Sequence, residues 1–178
     1  LVLEKLPAWP DLDVKRELKA PVEVHIWPDW ANPSIGRGGA LIRYPERDMT
    51  FRTEIDLKEV PNFLNAEMIK NVAFGELLMV QMAIEEFQIK NCVLHVHTDN
   101  GYNAYSAVQG RTSHNPILTT LVDCLDDLCI SLEVHDEWGY VNTIRNPGDL
   151  FTREERFKLI EELLGFKPDQ VRLVDMKE

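Results

Sequence analysis

The sequence predicts an α/β fold: a mixed five-stranded sheet, three of its strands an antiparallel meander, with helices on both faces. Three observations lead there. Residues 22–57 alternate apolar and polar side chains in runs separated by tight connections. Later segments switch between helical spacing and short β runs, giving the order β-β-β-α-β-α-α-β-α, whose later strands should join in parallel by right-handed crossovers. The 178 residues, 44% of them hydrophobic, suffice for one core and show no internal repeat or second core.

Residues 1–20 combine Trp9, prolines and charges without sustained periodicity and read as a leader or connection segment. The domain proper is expected over 21–166. In "VEVHIW", Val22, Val24 and Ile26 alternate with Glu23 and His25 as a strand does, and Pro28 should limit the ladder. "NPSIGRGG" reads as a loop by its Asn-Pro and three glycines, followed by strands at "ALIRYP" and "MTFRTEIDL". From Asn65 to Gln88 the period becomes helical, with Ile69, Val72, Ala73, Val80, Ala83, Ile84 and Phe87 at spacings of three and four. "NCVLHVHT" is a fourth strand, "GYNAYSAV" a short helix, "NPILTTLVDCLDDLC" an amphipathic helix and "ISLEVHDEW" a fifth strand. "NPGD" breaks the chain before a last helix, "TREERFKLIEELLGF", where Thr152 and Glu155 stand in capping-box spacing. Residues 167–178 read as a tail.

No apolar run approaches the roughly 18 residues that span a bilayer, and the first residues lack the pattern of a signal peptide. An intracellular chain, cytoplasmic or nuclear, is expected. Cys92, Cys124 and Cys129 form no C-x-x-C pair, so reduced core cysteines are expected instead of a disulfide framework or zinc site. Leu1 stands where an initiating Met would, and the chain is expected to be a domain of a longer polyprotein. The net charge of −11 opposes a general attraction for nucleic acid, unless the acids are concentrated where a divalent ion neutralises them or a basic neighbour supplies the grip.

Four acids then stand out, on four different elements. Asp29 closes the first strand, where Pro-Asp is also a turn pair. Asp99 ends the fourth strand, either as turn or cap or as a metal ligand at the crevice where strands end. Asp149 opens the last helix, where an acid also suits the helix dipole. Glu76 differs, because its helical neighbours Val72, Ala73, Met79 and Val80 are all apolar. A carboxylate buried in that stripe must hold a proton or meet a cation. If the first and fourth strands are adjacent, Asp29 and Asp99 become neighbours beneath the Glu76 helix. Such a cluster suits Mg²⁺, and two ions would activate water and stabilise the departing oxygen in phosphodiester cleavage.

These residues resemble a ribonuclease H domain, specifically the type attached to reverse transcriptases of retroelements, from about Val22 to Arg153. "VEVHIWPDWANP…GGALIRY" is similar to the family's first hairpin, and "AFGELLMVQMAIEEF" to the helix that presents its glutamate. "LHVHTDNGYNAYSAV" resembles the Thr-Asp-Asn or Thr-Asp-Ser motif, and "EWGYVNTIRNPGDLFTR" the terminal stretch with its Asp and Leu-x-Ser/Thr-Arg. "VQGRTS" resembles the Gly-Arg-Ser stretch of retrotransposons that integrate by tyrosine recombinase. Pro28 stands where the family commonly has Thr, and the loop before Asp149 lacks the histidine of cellular members.

The resemblance implies a ribonuclease H-like fold and hydrolysis of the RNA strand of RNA–DNA hybrids with two Mg²⁺ ions, for which Mn²⁺ substitutes. It implies Asp29, Glu76, Asp99 and Asp149 as catalytic metal ligands, and Asn100 and Arg111 as contacts to the hybrid backbone. Reading 2′-hydroxyls needs small polar groups near the acids, a role open to Asn32 and Asn71. The expected partners are an RNA–DNA hybrid and a linked or associated reverse transcriptase domain, with no membrane. A catalytically silent scaffold of the same fold, or a related nuclease acting on DNA, are the competing expectations.

Overall fold

The computed structural model describes residues 21–31, 35–56, 71–101, 103–104 and 116–174. The expected leader, Asn32 and Arg111 lie outside these residues. The strands are β1 (Val22–Ala31), β2 (Ile35–Arg43), β3 (Asp48–Asp56), β4 (Cys92–Thr98), β5 (Val134–Tyr140) and β6 (Arg172–Leu173). Among the described residues, the helices with defined bounds are α1 (Val72–Glu86), α2 (Pro116–Ser131), α3 (Asp149–Thr152), α4 (Glu154–Phe157) and α5 (Ile160–Leu164). One sheet contains all six strands in the order β5-β4-β1-β2-β3-β6. β1, β2 and β3 form the antiparallel meander, while β1–β4, β4–β5 and β3–β6 run parallel.

Period-two alternation places Val24 and Ile26 of β1, Leu94 and Val96 of β4 and Trp138 of β5 in the larger apolar core, with Leu77, Val80 and Ile84 of α1 and Leu121 and Leu125 of α2. Leu41, Phe151, Ile160 and Val171 form a second cluster, against which Trp27 and Phe157 pack. Three cysteines are free, Cys92 and Cys129 buried and Cys124 exposed. Burial pushes the Cys129 thiol up to about 12, as expected of an inert core residue.

Four details depart from the sequence-based expectation. β1 runs through Pro28 to Ala31, because its pairing with β4 ends at Ile26 and Val96 and only β2 flanks it beyond. A residue without an N–H is tolerated where one side of the strand is free of a ladder. The glycines of "IGRGG" belong to β2, not to a loop. A Cβ on Gly36 would come within 2.7 Å of the Trp30 indole, so the missing side chain makes room for a buried ring. The expected single last helix is broken into α3, α4 and α5: Arg153 is extended at φ −116° and ψ 122°, and Thr152 makes no cap. Finally, the sheet has six strands rather than five, because Arg172 and Leu173, in the segment read as a tail, pair with Phe51 and Arg52.

Candidate metal centre

The parallel pairing of β1 with β4 brings the ends of these two strands together, and α1 packs across β1 and β2. Helix α1 starts at Asn71, whose side chain accepts from the Phe74 N–H at 3.3 Å. One turn into the helix, Glu76 is fully buried. One carboxylate oxygen each from Asp29, Glu76 and Asp99 lies within 4.8 Å of the others. Asp29 is 7% exposed, and Asp99 is half-buried.

Hydroxyl groups hold two of the three carboxylates. Thr98 Oγ1 donates to Glu76 Oε2 at 2.6 Å and accepts from the Asn100 N–H at 3.0 Å, so its proton is directed at the glutamate. Asn103 Nδ2 donates to the same oxygen at 3.3 Å and to the Ala73 carbonyl at 2.9 Å. Among the described residues, no N–H or hydroxyl group donates to the buried Glu76 Oε1. On the other side, Thr152 Oγ1 donates to Asp29 Oδ2 at 2.6 Å.

Burial, followed by interaction with Asp99, pushes the Glu76 carboxyl up to about 10, against the Thr98 hydrogen bond. Burial also raises Asp29 to about 6, opposed by Thr152 and reinforced by the Asp99 charge. Acids crowded in this way are neutralised by protons or by a cation. The all-oxygen donor set, together with the buried Glu76 Oε1, fits a hard divalent ion.

The fourth expected acid does not join this group. Asp149 is 4% exposed at the start of α3, but its carboxylate pairs with Arg153 Nε at 3.3 Å and with Arg156. Its backbone nevertheless enters beside the site. Asn146 Nδ2 donates to the Pro28 carbonyl at 3.4 Å, the Gly148 N–H donates to Asn146 Oδ1 at 3.0 Å, and a Cβ on Gly148 would lie 2.6 Å from the Trp27 carbonyl oxygen. Only glycine permits that approach.

Of the expected contact residues, Asn100 shapes the turn after β4, its Oδ1 accepting from the Asn103 N–H at 3.3 Å. Asn71 is an N-cap, with its oxygen engaged by helix α1. The sequence reading gave no role to Thr98, Asn103 or Asn146, and read Thr152 only as a helix cap. The Thr-Asp-Asn and Leu-x-Thr-Arg motifs contain both threonines and were the available signal.

No protein-family model matches the chain, and no curated protein matches it. Solved structures do. The N-terminal RNase H domain of a Mycobacterium tuberculosis protein superposes with a TM-score of 0.51 at 13% identity, over 79% of this chain and 98% of that one. RNase H1 of the halophilic archaeon Halobacterium salinarum gives 0.52 at 12% identity, over 76% and 98%. LC11-RNase H1, solved in complex with RNA/DNA hybrid, gives 0.53 at 11% identity, over 78% and 99%. At such identities the likeness concerns architecture: the chain has a ribonuclease H-like α/β fold, with three acids gathered where two parallel strands end.

Proposed function

We propose that this chain is a metal-dependent endoribonuclease that hydrolyses the RNA strand of RNA–DNA hybrids, as a domain of a reverse transcriptase polyprotein. The observation that carries the reading is the convergence of Asp29, Glu76 and Asp99 from three elements on one point, with a buried Glu76 oxygen that no N–H or hydroxyl group among the described residues reaches. Asp29, Glu76 and Asp99 would hold Mg²⁺, or Mn²⁺ in its place. The chemistry supplied by such an ion is activation of water and stabilisation of the departing oxygen.

The chain's own residues prepare that site. Thr98 and Asn103 fix Glu76, leaving Oε1 as its available donor atom, and Thr152 fixes Asp29. Ligation requires both carboxyls to release protons, so affinity for the ion rises with pH. Asp149 joins as a further ligand only by leaving Arg153 and Arg156. Asn100, at the exit of β4, would contact the hybrid backbone. RNA selectivity would come from 2′-hydroxyl recognition in the shallow groove, the role proposed for Asn32 and Asn71, and Arg111 would add a backbone contact.

The retroelement setting rests on the order of the motifs and on the charge of −11, which calls for an associated basic domain, such as a linked reverse transcriptase, to grip the hybrid. Among the described residues, no helix is long and apolar enough to cross a membrane. A second reading, a silent scaffold, draws on the engagement of Asp149 by two arginines. A hybrid with labelled RNA, incubated with Mg²⁺ or Mn²⁺, separates them: the chain cuts the RNA strand and Asp99→Asn does not. Metal binding without cleavage would favour the scaffold, and cleavage of duplex DNA but not hybrid would favour a DNA nuclease.

A further inference from the structure

The second cluster of metal-ligating side chains lies on the β1–β4–β5 part of the sheet, away from the acids. Alternation puts Glu23, His25 and Trp27 of β1, His95 and His97 of β4, and His135 and Glu137 of β5 on the face opposite the Val24–Ile26 core layer. Register aligns them in a row, with His25 opposite both Arg43 and His95, and His95 opposite Glu137. The His25 and His95 rings stack at 4.7 Å, and Trp27 stacks on His97 at 4.7 Å.

Stacking explains the ring planes but not the nitrogens. Among the described residues, the buried His95 Nε2 makes no hydrogen bond and lies 3.5 Å from Glu23 Oε1, while its Nδ1 lies 3.4 Å from Glu137 Oε2. One ligand atom each from Glu23, His25 and His95 falls within 4.8 Å of the others. His25 Nδ1 lies 2.9 Å from His97 Nε2, the kind of outer contact that fixes the tautomer of a metal-ligating imidazole.

We propose that Glu23, His25 and His95 form a second metal site, selective for a borderline cation of the Zn²⁺ class. Two imidazoles and one carboxylate make a three-ligand zinc set, whose fourth position falls to water, while Glu137 faces the other nitrogen of His95. Tetrahedral ligation at about 2.1 Å needs donor atoms roughly 3.4 Å apart. Binding therefore requires the Glu23 side chain, 65% exposed, and the stacked His25 and His95 rings to turn toward one point. Nitrogen donors distinguish this site from the all-oxygen centre that suits Mg²⁺. His25 and His95 precede Asp29 and Asp99 by four residues on the same paired strands, so a cation here pins together the two strands that present those acids.

The test is Zn²⁺ binding by the 178-residue chain in excess Mg²⁺, measured by competition with a chromophoric chelator, with Co²⁺ as a spectroscopic probe. One equivalent of Zn²⁺ is expected, with the visible bands of tetrahedral Co²⁺. Glu23→Gln and His95→Gln should each weaken Zn²⁺ binding by about tenfold or more, and Asp99→Asn should leave it unchanged. Glu23 is exposed, so Glu23→Gln decides the matter even if His95→Gln fails to fold. Absence of Zn²⁺ uptake, uptake unaltered in Glu23→Gln, or uptake lost in Asp99→Asn would each overturn the proposal.

Discussion

Replacing Glu76 by Gln should stabilise the metal-free chain at alkaline pH, an unusual outcome for a buried substitution. The folded-state carboxyl of Glu76 is raised to about 10 from its ordinary 4.5. The folded chain therefore keeps a proton that the unfolded chain gives up. This contribution to stability is fully present below pH 4.5 and is lost progressively as pH rises toward 10. The loss is at most about 1.4 kcal/mol per pH unit, hence up to ~4 kcal/mol between about pH 5 and pH 8. Water entry and relaxation reduce this, and a net effect of roughly 2 kcal/mol is expected. Gln retains the acceptor for Thr98 and never ionises. In a chain of this size about 2 kcal/mol corresponds to roughly 4–8 °C in Tm. Thermal melts in EDTA, followed by circular dichroism, should show Glu76→Gln above wild type near pH 8 and close to it near pH 5. Added Mg²⁺ should then raise the wild type and leave the variant nearly unmoved. Parallel pH profiles for the two proteins, with equal Mg²⁺ shifts, would refute the reasoning.

Thr152→Val removes the 2.6 Å donor to Asp29 and should cost about 1–3 kcal/mol in a denaturant melt, with Thr152→Ser restoring it; a Val variant indistinguishable from wild type would contradict that role. Gly75→Ala drives a methyl into the Trp30 ring and should destabilise by about 1–3 kcal/mol, which the same melt measures. Asp149→Asn should preserve most of the Mg²⁺-dependent Tm shift, whereas Asp99→Asn should abolish it; the reverse pattern would place Asp149 in the primary ligand set.

The sequence exposed what local periodicity controls. Alternation in "VEVHIW" and "VLHVHT" marked β1 and β4, while the adjacency of these strands entered only as a condition, which the strand order β5-β4-β1 meets. Glu76 was legible because all its helical neighbours were apolar, which demands a special partner. The glycines of β2 were misread because a Gly-rich stretch signals a loop locally, while here it accommodates Trp30, Met79 and Phe151 from elsewhere. Thr152 was misread for a similar reason. Its spacing to Glu155 suggests a cap, but its partner is Asp29, 123 residues earlier. Asn146 reaches Pro28 across 118 residues, and β6 consists of two residues that only the neighbouring β3 makes into a strand. Asp149 has Arg153 four residues on, an ion-pair spacing visible in sequence that competed with the ligand role.

The most direct test of the central claim is crystallographic: crystals of the chain soaked in Mn²⁺, with data collected to reveal its anomalous scattering. The account predicts a peak among Asp29, Glu76 and Asp99, with carboxylate oxygens at about 2.2 Å. Its absence from an Asp99→Asn crystal soaked in the same way would complete the result. A wild-type crystal showing no peak at the three acids, or a peak that persists after Asp99→Asn, would contradict it.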